Sequence, residues 1–254
     1  MPQHRDHQAS IKTTKAMDSD DALQVLLFSG TGWYRHPEIP IINGWLVRLG
    51  AEHNMQLDVS ETGDDISTEK LERYDVILFN NANVLDKIFN VEQRTAIEDW
   101  YKKGGAIVAV HAVLVHQQEW PWLMNLGGCD FNSDSEFLKA KVIVDPAAMD
   151  HPAVKGQGKE FWYTADWTNH TKSVTGLPGV QVLLRVDEST YEPVREYFQT
   201  RNGKAMGEDH PIAWTREWDG GRFFYTELGH DLRSLDTPFG KQHVIEGIRW
   251  VAEK

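Results

Sequence analysis

Four side chains in this sequence pair proton-transfer chemistry with a position that can use it: His36, His111, Asp166 and His230. Imidazole takes and gives protons near neutrality, and a carboxylate beside it orients the ring or serves as an acid. His111 follows directly on the apolar run Ala106-Ile-Val-Ala-Val110, and His230 follows Arg222-Phe-Phe-Tyr-Thr226 after a Gly-bearing step. His36 closes the segment Trp33-Tyr34-Arg35-His36, and Asp166 ends Phe161-Trp-Tyr-Thr-Ala-Asp166. The same four could ligate a divalent cation, zinc or manganese, although no HExxH and no close His-x-His pair fixes a metal site by spacing. A lone histidine after a strand is more often a hydrogen-bonded structural group than a catalyst. Joint placement at several strand ends tips the balance toward chemistry.

Around these lie residues suited to holding a sugar. Trp33, Tyr34, Trp120 and Trp167 offer flat apolar faces for a pyranose ring, in a chain with 10 tryptophans. Asn80 and Asn81 present paired donors and acceptors for hydroxyls, and His116 and His210 complete the polar candidates. Each has a bland alternative: tryptophan as core filler, asparagine as a turn residue that tolerates left-handed backbone, and His210 before Pro211 as the start of a strand.

Two other chemistries fail on the residues. Gly30-Thr31-Gly32 opens like a dinucleotide loop, but position 35 is Arg and no Gly-Lys-Ser/Thr follows. A nucleophile elbow needs Ser or Cys on the sharp turn after a strand. In Val108-Ala-Val-His111-Ala-Val that place holds His111, and the single cysteine, Cys129, lies beyond Gly127-Gly128. Thiol-dependent glutaminase chemistry is therefore not expected. One cysteine also excludes a disulfide framework and a cysteine-rich zinc ribbon.

The elements that must position these groups alternate. Leu23–Phe28, Gln56–Ser60, Tyr74–Phe79 and Ala106–Val110 read as strands, three of them buried on both faces. Ile39–His53, Ser67–Arg73 (Ser67 as N-cap) and Val91–Lys103 read as helices between them. Such alternation predicts an α/β fold: a doubly wound, mostly parallel, flavodoxin-like sheet with helices on both faces. In an open parallel sheet, ligands bind beyond the strands' carboxyl ends, which selects the loops 31–36, 80–83 and 111–116. The second half is less regular. Strands are expected over Lys141–Val144, Val180–Val186, Pro211–Thr215 and Arg222–Thr226, with a hairpin turn at Trp218-Asp-Gly-Gly-Arg222 and a closing helix over Gly240–Ala252.

With 254 residues, 41% hydrophobic and 25% charged, the chain has a globular composition. A net charge of −12 with no long basic run argues against nucleic acid as a partner. No apolar run is long enough to span a bilayer, and residues 1–21 contain no apolar signal region. The expectation is a cytoplasmic protein with a flexible tail at 1–21 and a single domain over 22–254. Its partner would be a small-molecule sugar, with no membrane partner, and assembly into a homo-oligomer stays open.

The ordered set of segments resembles the ThuA-like family, associated with trehalose utilisation. The matching pieces are Arg35-His36, Tyr74-Asp-Val-Ile-Leu-Phe, Lys103-Gly-Gly-Ala-Ile-Val-Ala-Val-His111-Ala, Asp150-His-Pro, His210-Pro-Ile-Ala-Trp214, Gly221-Arg-Phe-Phe-Tyr-Thr-Glu-Leu-Gly-His230 and Gly247-Ile-Arg-Trp250. They run in family order from about residue 23 to the C-terminus. The resemblance implies a fold similar to class I glutamine amidotransferases and a carbohydrate-related role on keto-sugars or oxidised disaccharides. Two positions depart from the family pattern: Asp166-Trp167-Thr168 lacks a second carboxylate, and Ser133-Asp134 replaces a His-Pro. Roles resting on either do not carry across. The leading expectation is a sugar-active enzyme using His36, His111, Asp166 and His230 for isomerisation, epimerisation or hydrolysis. Its rivals are a metal-dependent hydrolase with the same residues as ligands, and a non-catalytic carbohydrate-binding protein.

Overall fold

Apolar runs without alternation make strands that need cover on both faces, and the first half of the chain supplies helices to provide it. The computed structural model describes residues 22–253; the flexible tail expected over 1–21 lies outside them. In chain order the first half is β1 (Leu23–Phe28), α1 (Ile39–Glu52), β2 (Met55–Ser60), α2 (Thr68–Leu71), β3 (Val76–Asn80), α3 (Val91–Lys102), β4 (Ala106–Val110) and α4 (Pro121–Gly127). The second half is β5 (Phe131–Asp134), β6 (Leu138–Val144), β7 (Glu160–Ala165), β8 (Thr168–His170), β9 (Val180–Asp187), α5 (Glu196–Gln199), β10 (Pro211–Trp218), β11 (Gly221–Thr226) and α6 (Pro238–Ala252).

Nine strands form one sheet in the order β2-β1-β3-β4-β11-β10-β9-β6-β7, and β5 pairs with β8 separately. From β2 to β11 every pairing is parallel, which is the doubly wound core. The irregular second half becomes an antiparallel wing of β10, β9, β6 and β7, entered through a hairpin at Asp219 and Gly220, both at positive φ. The difference follows from cover. Strands β3 and β4 are buried at every position, whereas β7 alternates and leaves one face to solvent.

Strand side chains alternate between two cores. Val25, Leu27, Val76, Leu78, Val108 and Phe224 face α1 and α6, packing with Ile42, Leu46, Ile245 and Ile248. Leu26, Phe28, Ile77, Phe79, Ile107 and Phe223 face the other way, against Ile97, Tyr101, Leu123 and Leu126 of α3 and α4. Each such side chain contributes roughly 1.5–3 kcal/mol on burial, so register is strongly specified. That register is flush: Asn80 pairs with Val110 and Val110 with Thr226, so the residues leaving β3, β4 and β11 emerge side by side.

Local signals set the helix starts. Ser67 accepts from the Lys70 amide as read from sequence, and Asn90 with Gln93 forms a reciprocal capping box for α3. Helix α6 begins at Pro238, two residues before the expected Gly240, because Thr237 caps it by accepting from the Gly240 amide. Among the described residues no helix is long and apolar enough to cross a membrane.

Candidate active site

At the flush edge the chain leaves strands through left-handed residues: Asn81 at φ 53°, His111 at φ 59° and Gly229 at φ 123°. Asparagine and glycine accept this conformation, whereas His111 carries a cost of roughly 1–2 kcal/mol. Its amide still continues the sheet, donating to the Thr226 carbonyl at 2.8 Å. The strained turn stands where a nucleophile elbow would be and turns an imidazole upward instead.

His36, His111 and His230 meet there, with ring centroids 4.9–5.1 Å apart in all three pairs. His111 Nδ1 lies 3.0 Å from the Glu227 carbonyl, to which it donates, so its Nε2 keeps the lone pair. That Nε2 is 3.9 Å from Asp166 Oδ2, the same oxygen that accepts from His230 Nδ1 at 2.7 Å. Burial, reinforced by the two neighbouring imidazoles, drives His36 down to about 2. Burial likewise takes His111 to about 4, against the pull of Asp166. Burial also opposes charge on His230, but the Asp166 hydrogen bond and charge outweigh it and raise this histidine above its ordinary value. Asp166 is held below the usual carboxylate range because the two histidines overcome its burial. The His230–Asp166 pair thus favours an imidazolium–carboxylate form, while burial disfavours charge on His36 and His111.

These groups open into a cavity of about 290 Å³ whose walls include Trp33, Tyr34, Asn83, Leu114, Val115, Phe131, Asp134, His170, Arg195, Tyr197, Phe198 and Tyr225. Of the sequence candidates, His36, His111, His230, Trp33 and Tyr34 line it, and Asp166 stands behind His230. His116 stands beside Trp33, ring centroids 5.9 Å apart, with its Nδ1 3.4 Å from Asp130 Oδ2.

Five candidates lie elsewhere. Asn80 and Asn81, expected to face hydroxyls, are fully buried and spend their amides on the chain. Asn80 donates to Asn43 Oδ1 at 2.8 Å, and Asn81 donates to the Gly229 carbonyl at 2.9 Å, tying down the loop that carries His230. Trp120 packs in the α3–α4 core with Nε1 donating to Glu98, so no face is free for a sugar. Trp167 points into the opposite core. His210 is fully buried between Glu188 Oε1, 2.7 Å away, and the Thr168 carbonyl, 2.8 Å away, bracing the strand after Asp166. The strand pattern puts Asn80 and Asn81 at the end of β3 and His210 before β10, but no pattern covers Trp120 or Trp167, and none shows which face each side chain takes.

Gly30 and Gly32 also have a packing explanation. A Cβ at Gly32 would lie 2.3 Å from the Val84 carbonyl, and at Gly30 2.7 Å from the Phe28 ring. The smallness of Gly32 lets the loop after β1 cross the loop after β3, where Asn83 clamps it by donating to the Tyr34 carbonyl at 2.7 Å, while Gly30 makes room for the Phe28 ring and the Glu61 carbonyl. Cys129 is buried, and burial pushes its thiol far up, which leaves no thiolate for amidotransfer.

Sequence reasoning does not reach Asp134, Arg195, Tyr197, His170, Tyr225 or Glu227. The Asp134–Arg195 contact joins positions 61 apart on irregular segments, and no periodicity announces it. His170 has a weaker signal, four residues after Asp166 in a polar run, and burial takes it to about 3. Glu227 precedes the Leu-Gly-His step; its carboxyl is wholly buried and held well above its ordinary pKa by burial and by Asp166.

The residues fit a divalent cation of the zinc class. One nitrogen from each of His36, His111 and His230 falls within 4.8 Å of the others. His111 and His230 are each oriented through Nδ1 by a carbonyl or carboxylate, the usual support for a metal-binding imidazole. The buried Nδ1 of His36 has no hydrogen-bond partner.

Solved structures share this architecture. A ThuA-like protein from Bacteroides uniformis aligns with a TM-score of 0.74 at 21% identity, covering 95% of each chain. A second ThuA-like protein, from Parabacteroides merdae, gives 0.66 at 16% identity over 91% of this chain and 90% of that one. A GMP synthase subunit from Thermoplasma acidophilum gives 0.51 at 13% identity over 91% and 94%, the amidotransferase-like fold that this chain builds without a cysteine at the elbow. No curated protein matches the sequence. The family model ThuA, described as trehalose utilisation, matches residues 24–251, and the chain belongs to that family.

Proposed function

We propose that this protein is a carbohydrate-active enzyme of sugar utilisation that moves protons on a keto-sugar, by isomerisation, epimerisation or hydrolysis. One observation carries the reading. Three imidazoles share the floor of one ring-sized cavity, and their surroundings push one pKa up and two down. Separated pKa values on adjacent groups are how a site holds an acid and a base together at neutral pH. His111 is the base: neutral, strained into place, with its Nε2 lone pair free. Protonated His230, backed by Asp166, hydrogen-bonds the ketone oxygen and stabilises charge that develops there. Trp33 and Tyr34 supply apolar faces to the ring.

A second reading is favoured by the convergence of nitrogen donors. His36, His111 and His230 would hold a zinc-class cation, and the chemistry it brings is polarisation of the ketone and a water of lowered pKa. The test uses trehalose with one ring hydroxyl oxidised to the ketone, incubated in D2O with protein as purified, chelator-treated, or resupplied with zinc or manganese. NMR follows loss of the C–H signal beside the ketone and release of free sugar. Exchange or product that disappears in His111→Ala is expected. Loss on chelation with recovery on resupply assigns the metal reading. A wild-type protein that leaves this probe unchanged in all conditions overturns both.

A further inference from the structure

Asp134 and Arg195 are a charged pair set into a cavity wall that is otherwise largely aromatic and aliphatic. Neither belongs to an element that carries the histidines: Asp134 ends β5, and Arg195 precedes α5. The pair is fixed twice. Arg195 donates its amide to the Asp134 carbonyl at 3.0 Å, and its Nη2 donates to Oδ2 at 3.2 Å, while Nε sits 2.6 Å from Oδ1. Phe198 backs the guanidinium, 5.0 Å from the ring centroid. An ion pair that merely locked a wall would need no access to the interior, yet both residues line the cavity with His36, His111 and His230. At about 290 Å³ the cavity lies at the small end of ligand sites, so a bound sugar ring reaches both the histidine floor and the Asp134 wall.

We infer that Asp134 is a second acid–base group of this site, moving the proton on the substrate oxygen while His111 moves the proton on carbon. The inference rests on the keto-sugar reading above. His111 Nε2 takes the proton from the carbon beside the ketone, and that C–H pair becomes the C=C bond of an enediol. The carbonyl π pair moves onto oxygen, which takes the Asp134 proton. The neighbouring hydroxyl then returns a proton to the Asp134 carboxylate. His111 delivers its own proton to the former carbonyl carbon, and no electrons leave the substrate. The groups that act on Asp134 are Arg195 and His230, which favour its ionised form, and Asp166 and Glu136, which disfavour it. With burial as the largest influence they set it at about 7, so acid and conjugate base are both present near neutrality.

The test uses the same singly oxidised trehalose and the exchange assay, with Asp134→Asn and the double variant Asp134→Asn/Arg195→Met, which leaves no unpaired cation. Circular dichroism and thermal melting report folding of each. The expected result is a kcat lower by about 100-fold or more with KM little changed. The kcat/KM profile should lose one limb, and Asp134→Glu should restore part of the rate. Wild-type exchange that His111→Ala abolishes but both folded Asp134 variants keep within about threefold, with the pH profile intact, overturns the role of Asp134 and leaves the keto-sugar reading standing. A wild type inert to the probe sinks both.

Discussion

The floor of the cavity and its far wall are built on different principles. The floor is the carboxyl edge of four parallel strands in flush register, each buried on both faces, so its loops are placed by the core beneath them. The far wall is the separate two-stranded pair β5–β8 and residues 195–198, short pieces tied to one another by individual polar contacts rather than by the main sheet. Precision therefore comes from packing in one region and from individual polar links in the other. Disturbing the floor should damage chemistry; disturbing the wall should damage recognition, with Asp134 as the exception inferred above.

The largest effect should come from the floor itself. Asp166→Asn removes the charge that raises the His230 pKa while preserving shape. We expect kcat on the oxidised trehalose to fall about 10³-fold, with little change in melting temperature. The His230 ring, followed by NMR, should titrate lower than in wild type. Unchanged titration with lost activity would mean that Asp166 acts by another route.

Trp120→Ala sharpens the contrast by striking beneath the floor and outside the cavity. Trp120 is fully packed, with Phe89 and Trp122 rings 5.9 and 6.0 Å away. Deleting such a side chain costs about 3–5 kcal/mol, read by urea denaturation, while KM on the folded fraction should stay near wild type. A selective rise in KM would restore Trp120 to the sugar site.

This contrast also explains what the sequence could convey. His111 was legible because an uninterrupted apolar strand ends at Val110, and parallel sheets use that end. His36 and His230 follow the same rule. The faces of Asn80, Asn81, Trp120 and Trp167 were not legible, since a strand-end or turn residue can point either into the core or over the edge, and only the assembled loops decide. Asp134 and Arg195 were out of reach for a different reason: their pairing depends on how β5, β8 and the 191–198 segment fold over the edge, and no local pattern encodes that. The antiparallel wing falls between, its strands visible in part but their order set by long-range pairing.

Not every buried histidine belongs to the floor, and pH separates the kinds. His243 lies behind it on α6, with Nδ1 2.9 Å from the Ala153 carbonyl and Nε2 3.1 Å from Thr226 Oγ1. Burial lowers it from 6.5 to about 4. The unfolded chain therefore takes this proton first as pH falls. The stabilising contribution is complete above pH 6.5 and is lost between 6.5 and about 4. His243→Gln removes that one titration. Whatever the variant costs at pH 7.5, the difference from wild type should narrow by about 3 kcal/mol on moving to pH 4. Urea denaturation at the two pH values measures it, and a pH-independent difference would show that His243 is as easily protonated folded as unfolded.

The smallest effect should lie at the rim. Trp33 and Tyr197 line the cavity yet are 60% and 52% exposed, so they contribute little to folding. Their use is as faces for a sugar, where loss of one stacked aromatic is worth about 0.5–1.5 kcal/mol. Trp33→Ala and Tyr197→Ala should each raise KM on oxidised trehalose several-fold, with kcat and melting temperature close to wild type. The two changes should be nearly additive if separate parts of a ligand meet the two rings, and less than additive if one ring sits between them. A fall in kcat instead would place Trp33 with the floor: it adjoins Tyr34, whose ring stands 4.7 Å from His36. The loop after β1 would then set the position of the histidine centre as well as shape its mouth.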